Sequence, residues 1–155
     1  MLKITLLELF LRGVPEGFLF IFGTYAFSKR IINAKSFIMS SILYVILVYL
    51  IRSLPIHYGV HAILNIFVLI ILTVNINKIS LIKSIRSGVI IIMLQFLFEG
   101  INVLIIQYIF KVDINYVFTQ PSAKILYGIP SIVIFACVVI GYYIILLKKK
   151  ELELN

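Results

Sequence analysis

Three sets of polar residues recur at helical spacing inside stretches that are otherwise apolar. Thr5, Glu8, Arg12 and Glu16 stand three, four and four residues apart. On a helix that spacing gathers them on one face, with a carboxylate one turn before Arg12 and another one turn after it. His57, His61 and Asn65 follow at i, i+4 and i+8, and Gln95, Glu99 and Asn102 at i, i+4 and i+7. Arg52 closes a further apolar run. Side chains of these types bind ligands, carry protons or bridge helices. Their surroundings make them costly: a charge at the centre of a bilayer costs at least about 2.5–3.5 kcal/mol, so it persists when it is paired or used.

Each set has a functional and a structural reading. Arg12-Gly13-Val14-Pro15-Glu16-Gly17 combines two glycines with a proline that lacks a backbone donor, so a kink or break is expected there. Such a break either forms a half-helix ligand site of the transporter kind or is a purely structural bend. A third reading lays Leu2–Arg12 in the membrane interface as an amphipathic segment. Gly13 and Gly17 also have GxxxG spacing, but with Pro15 between them they read as a bend. Glu99 is the deepest carboxylate and must be protonated or paired with Arg12 or Arg52. It is then either an interhelical tie or a coupling carboxylate.

Several chemistries are excluded. His57 and His61 could share a metal ion, but no HExxH, CxxC or second His cluster completes a site, and Glu8 or Glu16 could contribute only if the helices adjoin, so no metal or other cofactor is expected. They read as interface residues. Cys137 sits between Ala136 and Val138 with no basic neighbour to lower its pKa, which argues against a Cys–His nucleophile. A Glu16–Glu99 dyad lacks a GxGD pattern, and Walker, GxGxxG and GxSxG motifs are absent. The expectation is a protein that is not an enzyme.

The elements that must position these residues follow from composition. Of 155 residues, 63% are apolar and 13% charged, with a mean hydropathy of +1.17. A soluble domain has roughly 45–50% apolar and about 25% charged residues, and a chain this short cannot bury such an excess. The bilayer is therefore the expected solvent and first partner. Five segments are long enough to cross it, near 4–27, 37–54, 57–76, 89–110 and 125–147. The connections are too short for a soluble domain, and Glu8 and Arg12 break the pattern of a cleaved signal peptide. The fold class is all-α: one polytopic bundle of about five transmembrane helices, the first kinked or broken at Gly13–Gly17.

The net charge of +8 is spread over short loops, as membrane topology requires, and does not point to nucleic acid. Lys29, Arg30, Lys35, Lys78, Lys83, Arg86 and Lys148–Lys150 fall on one side. The N-terminus is then outside a cell membrane and the C-terminus cytoplasmic. That orientation gathers Glu8, Arg12, Glu16, Arg52, His61, Asn65, Gln95, Glu99 and Asn102 into the outer half and centre, as a candidate site for a ligand or partner.

In layout the chain resembles the membrane sensor region of peptide-sensing histidine kinases of the accessory-gene-regulator receptor type. The resemblance rests on tightly spaced helices, an Ile/Leu/Lys/Asn-rich composition and the exit at Lys148-Lys149-Lys150. It implies sensing without phosphorylation, since these residues include no dimerisation helix or ATP-binding domain. The expected function is a sensor-like or accessory subunit, non-catalytic, that engages a ligand, a membrane or cytoplasmic partner protein, or a second copy. The alternative is a small transport component with Glu16 and Glu99 as coupling carboxylates.

Overall fold

A computed structural model describes residues 9–55, 58–112, 117 and 120–153. Among them the chain forms five α-helices and no named strand: α1 (Val14–Phe27), α2 (Ala34–Ser53), α3 (Tyr58–Asn75), α4 (Leu81–Tyr108) and α5 (Pro121–Lys148). A π-helical turn, Leu9–Gly13, leads directly into α1. The expected break at Gly13–Gly17 takes this form. Pro15 falls in the first turn of α1, where it has no N–H to return to the turn before it. The strain is absorbed upstream, by the wider turn. Gly17 is not a bend: a Cβ there would lie 2.4 Å from Val45 Cγ2, so the residue lets α1 and α2 approach closely.

Helix α1 is the centre. It packs against all four other helices, while α2 meets α3, α3 meets α4 and α4 meets α5 around it. Its burial follows from its composition, apolar on every side, with Phe20, Ile21, Tyr25 and Ala26 in the core. Phe22 bridges towards the two ends of the ring, with its centroid 6.4 Å from Phe37 of α2 and 5.2 Å from Tyr143 of α5.

The outward faces are apolar as well. Ile38, Ile42 and Ile46 line α2, Ile63, Phe67 and Ile71 line α3, and Met93, Phe96 and Leu97 line α4, all exposed. Water would penalise such a surface by about 25 cal/mol per Å²; hydrocarbon does not. Three helical stretches, Ala34–Ser53, Leu81–Tyr108 and Ile125–Lys148, are long and apolar enough to cross a membrane.

Two helices begin earlier than hydropathy suggests. Helix α4 starts at Leu81, not near 89, and α5 at Pro121, not near 125. In α4 the apolar stretch ends before the helix does. Ser80 precedes the first turn, and Lys83 and Arg86 are good helix formers that extend it beyond its apolar part.

Residues 151–153 return to the segment after α1 and to the start of α4. Glu153 N–H donates to the Lys29 carbonyl at 2.8 Å, and Ile31 N–H donates to the Glu153 carbonyl at 3.1 Å. Lys29 pairs with Glu151 at 2.5 Å, and Lys83 pairs with Glu153. These ties place the end of α1, the start of α4 and the end of α5 at one end of the molecule, called here the tail end.

Candidate functional site

Away from the tail end, a second set of charged residues meets between helices. Arg12 comes from the π-helical turn, Glu16 from the first turn of α1, Arg52 from the last turn of α2, and Gln95 and Glu99 from α4. Arg12 Nη2 donates to Glu99 Oε1 at 2.6 Å, a charge-assisted bond. Gln95 Nε2 donates to Glu99 Oε1 at 2.9 Å and to Glu16 Oε1 at 3.3 Å, so a single amide joins the two carboxylates. Arg52 Nη2 stands 3.7 Å from Glu16 Oε1, and Arg12 Nε 4.0 Å from Glu16 Oε2. Two guanidinium groups thus balance two carboxylates.

Among the described residues Arg12 lies closer to Glu99 than to Glu16 of its own helix. Its short contact is to α4, and the reason lies in α5. The guanidinium rests against Gly128, where a Cβ would come within 3.0 Å of Nη1. Without that side chain Arg12 reaches across to Glu99. Pro130, two residues on, removes a backbone donor from α5, and near it Asn102 Nδ2 donates to the Tyr127 carbonyl at 2.6 Å. Asn102 therefore ties α4 to α5 and does not touch the charged group directly.

Beside Glu16 lies a cavity of about 30 Å³, bounded by Gly13, Tyr44, Tyr49, Arg52 and Asn65 among others. One or two waters fit such a volume, which needs at least about 10–15 Å³ per water. An organic ligand, which needs roughly 300–1,000 Å³, does not. Glu16 is 8% exposed. Its Oε2 atom and Asn65 Oδ1 are buried without a hydrogen-bond partner, and both residues line the cavity. Glu99 differs, with 36% of its side chain exposed.

The structure thus brings Arg12, Glu16, Arg52, Gln95 and Glu99 together, with Asn65 on the adjoining cavity wall. His61 lies one turn before Asn65 on α3 and is half-buried. Glu8 and His57 lie outside the described residues. Among the described residues no three His, Cys, Asp or Glu side chains gather as metal ligands. Cys137 is exposed on the surface of α5. Sequence reasoning missed Gly128, Tyr44 and Tyr49. The Gly128-Ile129-Pro130-Ser131 run was a signal for the first; tyrosines within apolar runs offer none.

Compared with known protein families, curated proteins and solved structures, the chain matches none.

Proposed function

We propose that the chain is a multi-pass protein of the cell membrane that crosses five times, with its N-terminus outside and its C-terminus in the cytoplasm. On this reading it is a sensor-like or accessory subunit without catalysis of its own. Its partner or ligand engages the charged group from the Glu99 side. The observation that carries the reading is the pairing of Arg12 with a half-exposed Glu99 above a cavity too small for an organic solute. An interior with room for one or two waters and a carboxylate that is 36% exposed suit a docking segment better than a small molecule held inside. The three membrane-length helices and the Lys/Arg-rich tail end support the topology. The layout shared with peptide-sensing kinases favours a peptide or a membrane partner as the occupant.

A second reading has its own observation. A buried carboxylate facing a water-sized cavity, with one oxygen unbonded, is the environment a proton- or ion-linked Glu16 needs in a transport component. Purification from native membranes in mild detergent, followed by mass spectrometry, separates the two. Stoichiometric recovery of another membrane or signalling protein, lost on Glu99→Gln, supports the subunit. Recovery of the chain alone, together with ion-coupled solute flux that Glu16→Gln abolishes, supports transport and removes the first reading.

A further inference from the structure

The tail end presents a second charged surface, remote from the Arg12–Glu99 group. Nine Lys/Arg residues cluster here: Lys29, Arg30, Lys35, Lys78, Lys83, Arg86 and Lys148–Lys150. Among the described residues of the tail, Glu151 and Glu153 oppose them, and both are committed, to Lys29 and Lys83. Lys35, Lys78, Arg86 and Lys148–Lys150 stand exposed. Directly beside Lys83, Leu81 and Ile82 project from the start of α4, 56% and 81% exposed. Basic side chains interleaved with projecting aliphatic ones match the boundary between headgroups and acyl chains, where charge meets phosphate and apolar groups enter hydrocarbon. A soluble anion would leave Leu81 and Ile82 in water.

We propose that the tail end docks the anionic headgroups of phospholipids, with Glu151 and Glu153 as resident competitors for Lys29 and Lys83. An arriving phosphate takes the place of a tail carboxylate on the lysine, and the tail lifts from the loop between α1 and α2. Besides these pairs, two backbone bonds, from Glu153 N–H to the Lys29 carbonyl and from Ile31 N–H to the Glu153 carbonyl, tie the described tail to that loop, and Leu152 packs against the core. The ion pairs hold the lysine and carboxylates in their charged states. The Lys29 ammonium is raised above its ordinary value by Glu151, while Glu151 and Glu153 are lowered by their lysines. The exchange is therefore of one anion for another, without proton transfer. It rests on the membrane reading above and is independent of what binds at Glu99.

The full chain is reconstituted into vesicles of phosphatidylcholine alone or with one-third phosphatidylglycerol, and flotation confirms incorporation. A water-soluble carbodiimide then joins Lys29 to Glu151 and Lys83 to Glu153 wherever those pairs persist, and mass spectrometry counts the joined peptides. Several-fold lower joining with phosphatidylglycerol is expected. Native mass spectrometry should show more phosphatidylglycerol retained by Glu151→Gln/Glu153→Gln than by the wild type, and less by Lys29→Gln/Lys83→Gln. Equal joining in both vesicles, or unchanged retention in the glutamate variant, overturns the proposal. Inorganic phosphate added to phosphatidylcholine vesicles should leave joining unchanged; if it releases the tail equally well, lipid docking is refuted. A chain that fails to float with the vesicles refutes the membrane reading and this proposal with it.

Discussion

At Arg12 the reach of a side chain is decided by a residue on another helix. Gly128 leaves space for the guanidinium, and Glu99 holds it on its far side at 2.6 Å, so it cannot retreat without loosening that bond. Gly128→Ala has two opposing effects. Replacing glycine within a helix gains up to about 1 kcal/mol, while forcing a packed group aside costs about 1–3 kcal/mol. The clash should win, with a net loss near 1 kcal/mol. In an Arg12→Ala background the clash is gone, and the same substitution should stabilise. Unfolding midpoints of the four proteins in detergent test this, and additive effects would sink it. A second prediction concerns Glu151 and Lys29, both at the surface. A carboxylate with a lowered pKa contributes stability that is present above its ordinary value, near 4.5, and is lost as pH falls through the lowered one. The ammonium is raised above 10.5, so its contribution is present below that value and is lost as pH rises through the raised one. Carbodiimide joining is confined to mild acid, so the pair is better followed by an NMR titration of the Lys29 side chain. The contact should persist throughout the range from about pH 5 to about pH 10, and be lost only below 4.5, as pH falls through the lowered carboxyl value, and above 10.5, as it rises through the raised ammonium value. Loss at pH 7 would contradict it.

The helices end in an unusual way. Lys29, Lys78, Lys111 and Lys150 all adopt φ between 54° and 56°, the left-handed conformation in which glycine usually terminates a helix. The N–H after each lysine returns to a carbonyl five residues back for Lys29 and Lys150, and six back for Lys78 and Lys111. A residue with a Cβ is disfavoured there by about 1–2 kcal/mol, which glycine partly offsets through its greater entropy when unfolded. Lys78→Gly should therefore stabilise by roughly 0.5–1 kcal/mol, while Lys78→Ala, which removes the same charge, should not. Equal midpoints for the two variants would mean that charge, not backbone, decides. None of this was legible, because lysine at a helix end reads as a loop charge. What was legible followed from periodicity. The i, i+4 spacing of Gln95 and Glu99 placed both on one face, and the apolar runs located the cores of the helices. Helix starts were misjudged where Lys83 and Arg86 lower hydropathy without lowering helix propensity. Pairing of Glu99 with Arg12 was among the alternatives the sequence offered, but the room for it depends on Gly128, and no spacing within one helix encodes a gap on another.

For the whole molecule the governing fact is that α1 is surrounded. Thr24, Tyr25, Ala26 and Ile21 are fully buried, and all four other helices pack against them or their neighbours. Helices α2 to α5 each turn an exposed apolar face outward, so any of them can separate from the others and remain solvated by lipid or detergent. Helix α1 cannot: moving it, with the turn that carries Arg12, exposes Glu16 and breaks the approaches of Glu16 to Arg52 and Gln95 and of Arg12 to Glu99 at once. Local opening free energies then differ across the bundle, and α1 amides exchange only when the assembly comes apart. Hydrogen exchange in detergent should find the slowest amides in peptides covering Gly17–Ala26, slower than those of α2, which is longer and just as apolar. Arg12→Ala should accelerate α1 and α4 together, since the same cluster joins them, and leave the middle of α3 less affected. If α2 proves slowest instead, the apolar environment sets protection, and the central helix is no more than one of five equivalent rods.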